Sequence, residues 1–260
     1  MKNLGLAGLG LCWLVGCSSS PLASVAGDAG AGGARDPGNV GASGNAGTPG
    51  SAGSSQFMSR CTAARATALG ANDSVAAGKV SVLSTTAGVI TLYVDASAGG
   101  MTDAPKNPWT FISLVDGSKV QVTDLTSLES TAWDLAIKRA QIYSNGGDGG
   151  PGAGGAVWLE KAFDEVTGSD ASDTAFNAET FFDAECTPNV ELTTGALYTT
   201  FIDWYWYDDA THFLTPAPGT YLVHGGTGKL YKLAFESYYA TPSGGMGAAS
   251  GAYLMKFKAL

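Results

Sequence analysis

"WYWYDDATHFLTPAPGTYLVHGGTGKLYKL", residues 204–233, contains both histidines of the chain, His212 and His224. It opens on four consecutive aromatics, Trp204 to Tyr207, crosses a proline-containing loop and returns through "YLVH" into a glycine-rich turn. Side chains alternate between the two faces of a strand. In "KLYKLAFES" that parity puts Tyr231, Leu233 and Phe235 on one face and Lys232 and Glu236 on the other. The stretch therefore predicts strand, turn, strand. Extended outward, it predicts four antiparallel segments in sequence: "GALYTTFIDWYWYD", "GTYLVHGG", "GKLYKLAFESYYA" and "GAYLMKFKAL".

Upstream segments read the same way. "GVITLYVDAS" alternates, with Ile90, Leu92 and Val94 on one face. "PWTFISLVDGSKVQVTD" predicts two strands around the hairpin dipeptide Asp116-Gly117. "SLESTAWDLAIKRAQIYSN" predicts one strand, with Trp133, Leu135 and Ile137 on one face and Asp134 and Lys138 opposite. The segment that follows, "NGGDGGPGAGGA", has seven glycines in twelve residues and predicts a loop. It lacks the lysine of a phosphate loop and the alternate acids of a calcium loop. Residues 57–78 are alanine-rich and predict a short helix, and 157–186 read as short strands or helical turns around a long loop.

The chain begins with a different kind of signal. "MKNLGLAGLGLCWLVGC" has a basic start, an apolar run too short to span a bilayer, and small residues before Cys17. This resembles a lipoprotein signal peptide over residues 1–16. Cys17 would then carry a diacylglycerol and a palmitate-type acyl chain, enough for stable anchoring. Ser18 in place of an aspartate favours the bacterial outer membrane by resemblance to Gram-negative sorting. Residues 17–56 lack aromatics and most charge, and predict a flexible tether. A glycine-rich coil of about 38 residues spans roughly 30–37 Å. Residues 57–260 remain as one domain.

The formal charge of the 260-residue chain is −9, with 14 basic and 23 acidic side chains. That balance leaves no basic footprint for nucleic acid. Cys12 departs with the signal and Cys17 takes lipid. Cys61 and Cys186 remain as an even pair in an oxidising compartment, and predict a disulfide closing a loop of about 125 residues. No G-x-S-x-G or H-E-x-x-H motif is present, and no spacing pairs carboxylates, so no enzyme is expected.

Taken in order, "AWDLAIKR", an Asn-Gly-Gly loop, "FDEVT", "WYWYD", "YLVHGGTGKLYKLAFESYY" and a final short strand resemble the HmuY family of bacterial surface lipoproteins. The resemblance covers most of residues 80–260. It implies an all-β, largely antiparallel domain. It also implies haem capture and transfer of the haem to an outer-membrane receptor. Haem iron takes His, or His with Met, as axial ligands. His212 and His224 are the candidate ligands, with Met58, Met101 and Met246 weaker ones and Met255 expected in the core. If strands 201–207 and 220–224 pair through the 208–219 loop, His224 lies roughly 13 Å along the return strand, and both histidines reach one iron only if the loop folds back.

Each histidine also has a plain reading. His212 sits in "DDATHFLTP" as a solvated turn residue beside carboxylates, and His224 ends a strand before Gly225-Gly226. Trp204 and Trp206, on one face of a strand, would stack on a porphyrin or a sugar, or form core. Two other classes of function stay open: a carbohydrate- or surface-binding module, and a structural lipoprotein without a small ligand.

Overall fold

In the computed structural model, which describes residues 61–172, 174–192 and 194–260, the β signals resolve into eleven strands. Six form an antiparallel sheet in the order β1 (Val80–Thr86), β2 (Val89–Asp95), β11 (Ala252–Ala259), β10 (Leu230–Ser237), β9 (Thr220–His224), β6 (Gly155–Leu159). The order β9-β10-β11 is the predicted meander, with Leu233 opposite Tyr221 on one side and Phe257 on the other. The fourth predicted member is absent from this sheet. Only Tyr205–Tyr207 form a strand (β7), and it pairs with β8 (Leu214–Pro216) as a separate ribbon. The supposed pairing of 201–207 with 220–224 is thus corrected: the chain turns back at 208–213, long before Thr220.

A three-stranded sheet holds β3 (Thr110–Ile112), β4 (Leu135–Lys138) and β5 (Gln141–Ser144). The segment expected as one strand is therefore a hairpin, and Arg139-Ala140 is its two-residue turn. The second arm after Asp116-Gly117 is reduced to a single bridge, Ile112 to Lys119.

The main core lies between the two sheets. Leu92, Val94, Tyr231, Leu233, Met255 and Phe257 from the larger meet Ile112, Leu135, Ile137 and Ile142 from the smaller. Full burial of such side chains contributes about 1.5–3 kcal/mol each. The other face of the small sheet is covered too: Phe111, Ala136 and Tyr143 pack with Trp109, Trp133, Phe181 and Leu69. Trp133 belongs to this second cluster, not to the face of Leu135 and Ile137, because it precedes the strand and escapes its parity. Asp134 and Lys138 are buried as well.

A single α-helix among the described residues, α1 (61–68), closes this second cluster. The Cys61–Cys186 disulfide ties it to the domain, with Cα atoms 5.4 Å apart. Buried Arg65 donates to the carbonyls of Asp148 (2.9 Å) and Gly149 (2.7 Å) in the glycine-rich loop. That loop is itself largely buried, and a Cβ on Gly146 or Gly154 would collide with backbone, so its glycines serve close approach.

Buried charges elsewhere do the same work on irregular backbone. Lys138 donates to the carbonyls of Leu69 and Asn107, and Lys232 to those of Phe163 and Val166. Asp124, Asp134 and Asp148 each accept two backbone N–H groups. Glu179 accepts from the N–H and hydroxyl of both Ser144 and Thr200. Loops run inside this domain, and these groups satisfy their polar backbone.

Candidate functional site

The β7–β8 ribbon leans over the turn that joins β4 to β5. Strand parity puts Tyr205 and Tyr207 on one face with Leu214 opposite Tyr207. Trp206 points the other way. A cavity of about 850 Å³ lies on the Tyr face, walled by Tyr205, Tyr207, Leu214, Phe213, Tyr238 and Tyr239 and rimmed by Met101, Arg139 and His212. That volume falls in the usual range for small-molecule sites. Three other clefts measure about 450, 470 and 460 Å³.

The ribbon's turn places His212. Asp208 Oδ1 accepts the N–H groups of Ala210 (2.8 Å) and Thr211 (3.2 Å), closing a local turn. These backbone bonds hold the Asp208 carboxyl below its ordinary range. His212 donates its N–H to Asp208 O at 2.7 Å and adopts φ 60°, in the left-handed region. The conformation turns the chain so that Phe213 stacks on Tyr239 (centroids 4.9 Å apart) and Leu214 N–H reaches Tyr239 Oη at 3.0 Å. His212 Nδ1 lies 2.6 Å from Tyr207 Oη. Its Nε2 has no protein partner among the described residues.

The opposite rim is the Arg139-Ala140 turn. Arg139 N–H donates to Ala96 O, its carbonyl accepts from Tyr253 Oη at 2.6 Å, and the Ala140 carbonyl accepts from Trp204 Nε1 at 2.8 Å. Burial pushes the Tyr238 hydroxyl up to about 12 and raises that of Tyr205, where the charges of Glu191 and Tyr207 add to the effect. These two walls stay neutral over any physiological pH and present hydroxyl donors rather than phenolates.

The sequence-predicted residues separate on this frame. His212 lines the cavity and His224 does not. His224 ends β9, its Nδ1 3.0 Å from Gly228 O and its ring 4.1 Å from that of Phe176. Trp204 and Trp206 do not share a face. Trp204 is 1% exposed in the core, contacting Tyr238 and Tyr253, while Trp206 is 61% exposed on the outer side of the ribbon. Trp204 precedes the strand, which removes it from the alternation that paired the two. Met101, 80% exposed, stands on the cavity rim; Met246 lies elsewhere and Met255 is fully buried. Sequence reasoning missed Arg139, Tyr238 and Tyr239. It missed Tyr205 and Tyr207 too, choosing Trp204 and Trp206 instead, although strand parity puts the two tyrosines on one face. Among the described residues, no group of three or more His, Cys, Asp or Glu side chains is placed to hold a metal ion, and no helix is long and apolar enough to cross a membrane. Cys17 and the segments 1–16 and 17–56 lie outside the described residues.

Comparison with solved structures gives distant likenesses. A protein of Bacteroides fragilis named as a lipoprotein is 17% identical, with 68% of this chain and 94% of that one covered and a TM-score of 0.43. One of Bacteroides vulgatus, named as HmuY-like and heme-binding, is 20% identical over 66% and 91%, with a TM-score of 0.40. The apo HmuY analog of Tannerella forsythia is 12% identical over 70% and 95%, with a TM-score of 0.43. No curated protein matches the chain. The model of the family described as HmuY protein matches residues 105–253, which include the β4–β5 turn, the β7–β8 ribbon, β9, β10 and the start of β11. With more than half its length inside that match, the chain belongs to the HmuY family.

Proposed function

We propose that this protein is a lipid-anchored surface protein that binds haem in the cavity beneath the β7–β8 ribbon, with His212 Nε2 as an axial ligand to the iron. The observation that carries the reading is His212 itself. It is an imidazole with an unengaged nitrogen on the edge of an aromatic-lined space of about 850 Å³. A porphyrin needs such a slot, and its iron needs such a nitrogen. For Nε2 to coordinate, Nδ1 carries the proton and donates it to Tyr207 Oη, which fixes the ring's orientation. Met101 on the same rim offers a second side chain of the type iron accepts. Family membership supports the ligand class. The protein acts by binding, not catalysis, and Cys17 with the 17–56 tether holds the 57–260 domain at the outer membrane, where a receptor takes the haem onward.

A haemin titration of the purified protein, followed in the Soret band, tests this. Saturable binding is expected, with His212→Ala shifting the Soret maximum and weakening affinity. His224→Ala is expected to change neither, since His224 does not line the cavity. No saturable spectral change overturns the haem reading and leaves a lipoprotein without this ligand.

A further inference from the structure

We propose that Arg139 is the specificity-determining residue of this cavity: its guanidinium pairs with a carboxylate of the bound ligand, so the site selects a planar tetrapyrrole acid over its ester. The proposal rests on the tetrapyrrole reading of the same site and adds what the ligand must carry.

The argument begins with the backbone. Arg139 takes the first of the two positions in the β4–β5 turn, at φ 53°. Glycine is the usual occupant of that position when only the first central residue has positive φ. Nothing in the hairpin's own pairing requires a long cationic side chain there. A strained residue retained at a cavity rim points to a use. Three hydrogen bonds, to Ala96 O and from Tyr253 Oη and Trp204 Nε1, then fix the turn against both the large sheet and the core.

The side chain is held but not consumed. Nη1 donates to Ser250 O (3.1 Å) and Ser250 Oγ (2.7 Å). Nε and Nη2 have no protein partner among the described residues, and no carboxylate there forms an ion pair with Arg139. Among the described residues, the lining of the cavity includes no Asp or Glu. Glu191, whose charge reaches Tyr205, is outside that lining, and its Oε2 accepts the Thr194 N–H at 2.7 Å. In a chain with 23 acidic and 14 basic side chains, an apolar cavity whose lone permanent charge is a half-engaged arginine is complementary to an aromatic anion. Guanidinium pairs with carboxylate through two parallel N–H donors, a geometry that lysine does not offer.

The test compares protoporphyrin IX with its dimethyl ester, in the same detergent-containing buffer, so that iron ligation plays no part. The wild-type protein is expected to bind the free acid about tenfold or more tightly than the ester. In Arg139→Gln that ratio is expected to fall towards one, with ester affinity little changed. Arg139→Gly, which relaxes the turn, is expected to lose the preference in the same way and guards against a folding failure. An equal acid-to-ester ratio in wild type and both variants overturns the assignment while leaving the tetrapyrrole reading standing. Absence of saturable binding of either porphyrin to wild type also overturns the assignment, while the haem reading stands or falls on the haemin titration.

Discussion

Replacing Arg139 by alanine and by glycine separates two contributions that the native residue combines. Arg139→Ala removes the Nη1 bonds to Ser250 and keeps a Cβ at φ 53°. For a half-buried group, two such bonds are worth about 1 kcal/mol together once solvent competition is counted. Arg139→Gly loses the same bonds but also removes the clash of a left-handed L-residue, about 1–2 kcal/mol. Against that stands the larger freedom of glycine in the unfolded chain, about 0.5–1 kcal/mol. The net expectation is that glycine exceeds alanine by about 0.5–1 kcal/mol and lies close to the native protein. For about 200 ordered residues this is a difference of roughly 1–4 °C in Tm. Ala87, at φ 51° in the β1–β2 turn, is the control, since Ala87→Gly relieves the same strain with no guanidinium involved. Urea unfolding followed by tryptophan fluorescence reads all three variants. An Arg139→Gly protein no more stable than Arg139→Ala, beside an Ala87→Gly protein that gains, would refute the claim that the turn at Arg139 is strained.

Other perturbations have equally definite outcomes. Tyr231 Oη is buried without a hydrogen-bond partner among the described residues, so Tyr231→Phe is expected to hold or raise stability by up to about 1 kcal/mol in the same assay, and a clear loss would show that the hydroxyl has a partner. The Cys61→Ala/Cys186→Ala double variant releases a loop with a sequence separation of 125; chain entropy sets the loss at no more than about 5 kcal/mol, and an unchanged urea midpoint would contradict it. Burial raises the carboxyl pKa of Asp124, Asp134, Asp148 and Glu179 against the pull of their N–H donors. A raised folded-state value means stability that is full below the unfolded value, near 4, and is lost as pH rises through the folded one. Asp170 and Asp208 are shifted the opposite way and lose their contribution only as pH falls below about 4. Unfolding free energy is therefore expected to rise from pH 7 towards pH 5, and a steady decline over that window would count against it.

How much of this was written in the sequence differs from element to element. The β9–β10–β11 meander was legible because one face is core and glycines mark the turn between β9 and β10, so alternation and turn chemistry agree. The β4–β5 hairpin was hidden for two reasons. Its turn uses Arg139-Ala140 where a glycine signal would be expected, and its strands are buried on both faces, so polar alternation carries no information. The ribbon was misjudged because all of 208–219 was read as one loop, whereas the chain reverses at 208–213, with His212 in a left-handed conformation, and is a strand again at Leu214–Pro216. His212 was visible as a rare residue type, but its partner Tyr207 and the cavity depend on where the ribbon leans. Arg139, Tyr238 and Ser250 meet it from 73, 26 and 38 residues away along the chain, and no local pattern connects them. The disulfide was readable by cysteine count once Cys12 and Cys17 were set aside with the expected signal segment.

That disulfide also determines how the domain bears a load. The sulfur of Cys61 is bonded to a residue 125 positions along the chain. A pull applied to the chain at Cys61 divides there, and one branch passes through a covalent bond directly to Cys186. Peeling α1 away from the domain would require that bond to break, since the hydrogen bonds of Arg65 and the packing of Leu69 lie beyond it on the force path. The joint at Cys61 is riveted, so a pull applied there is resisted by the whole domain rather than by α1 alone.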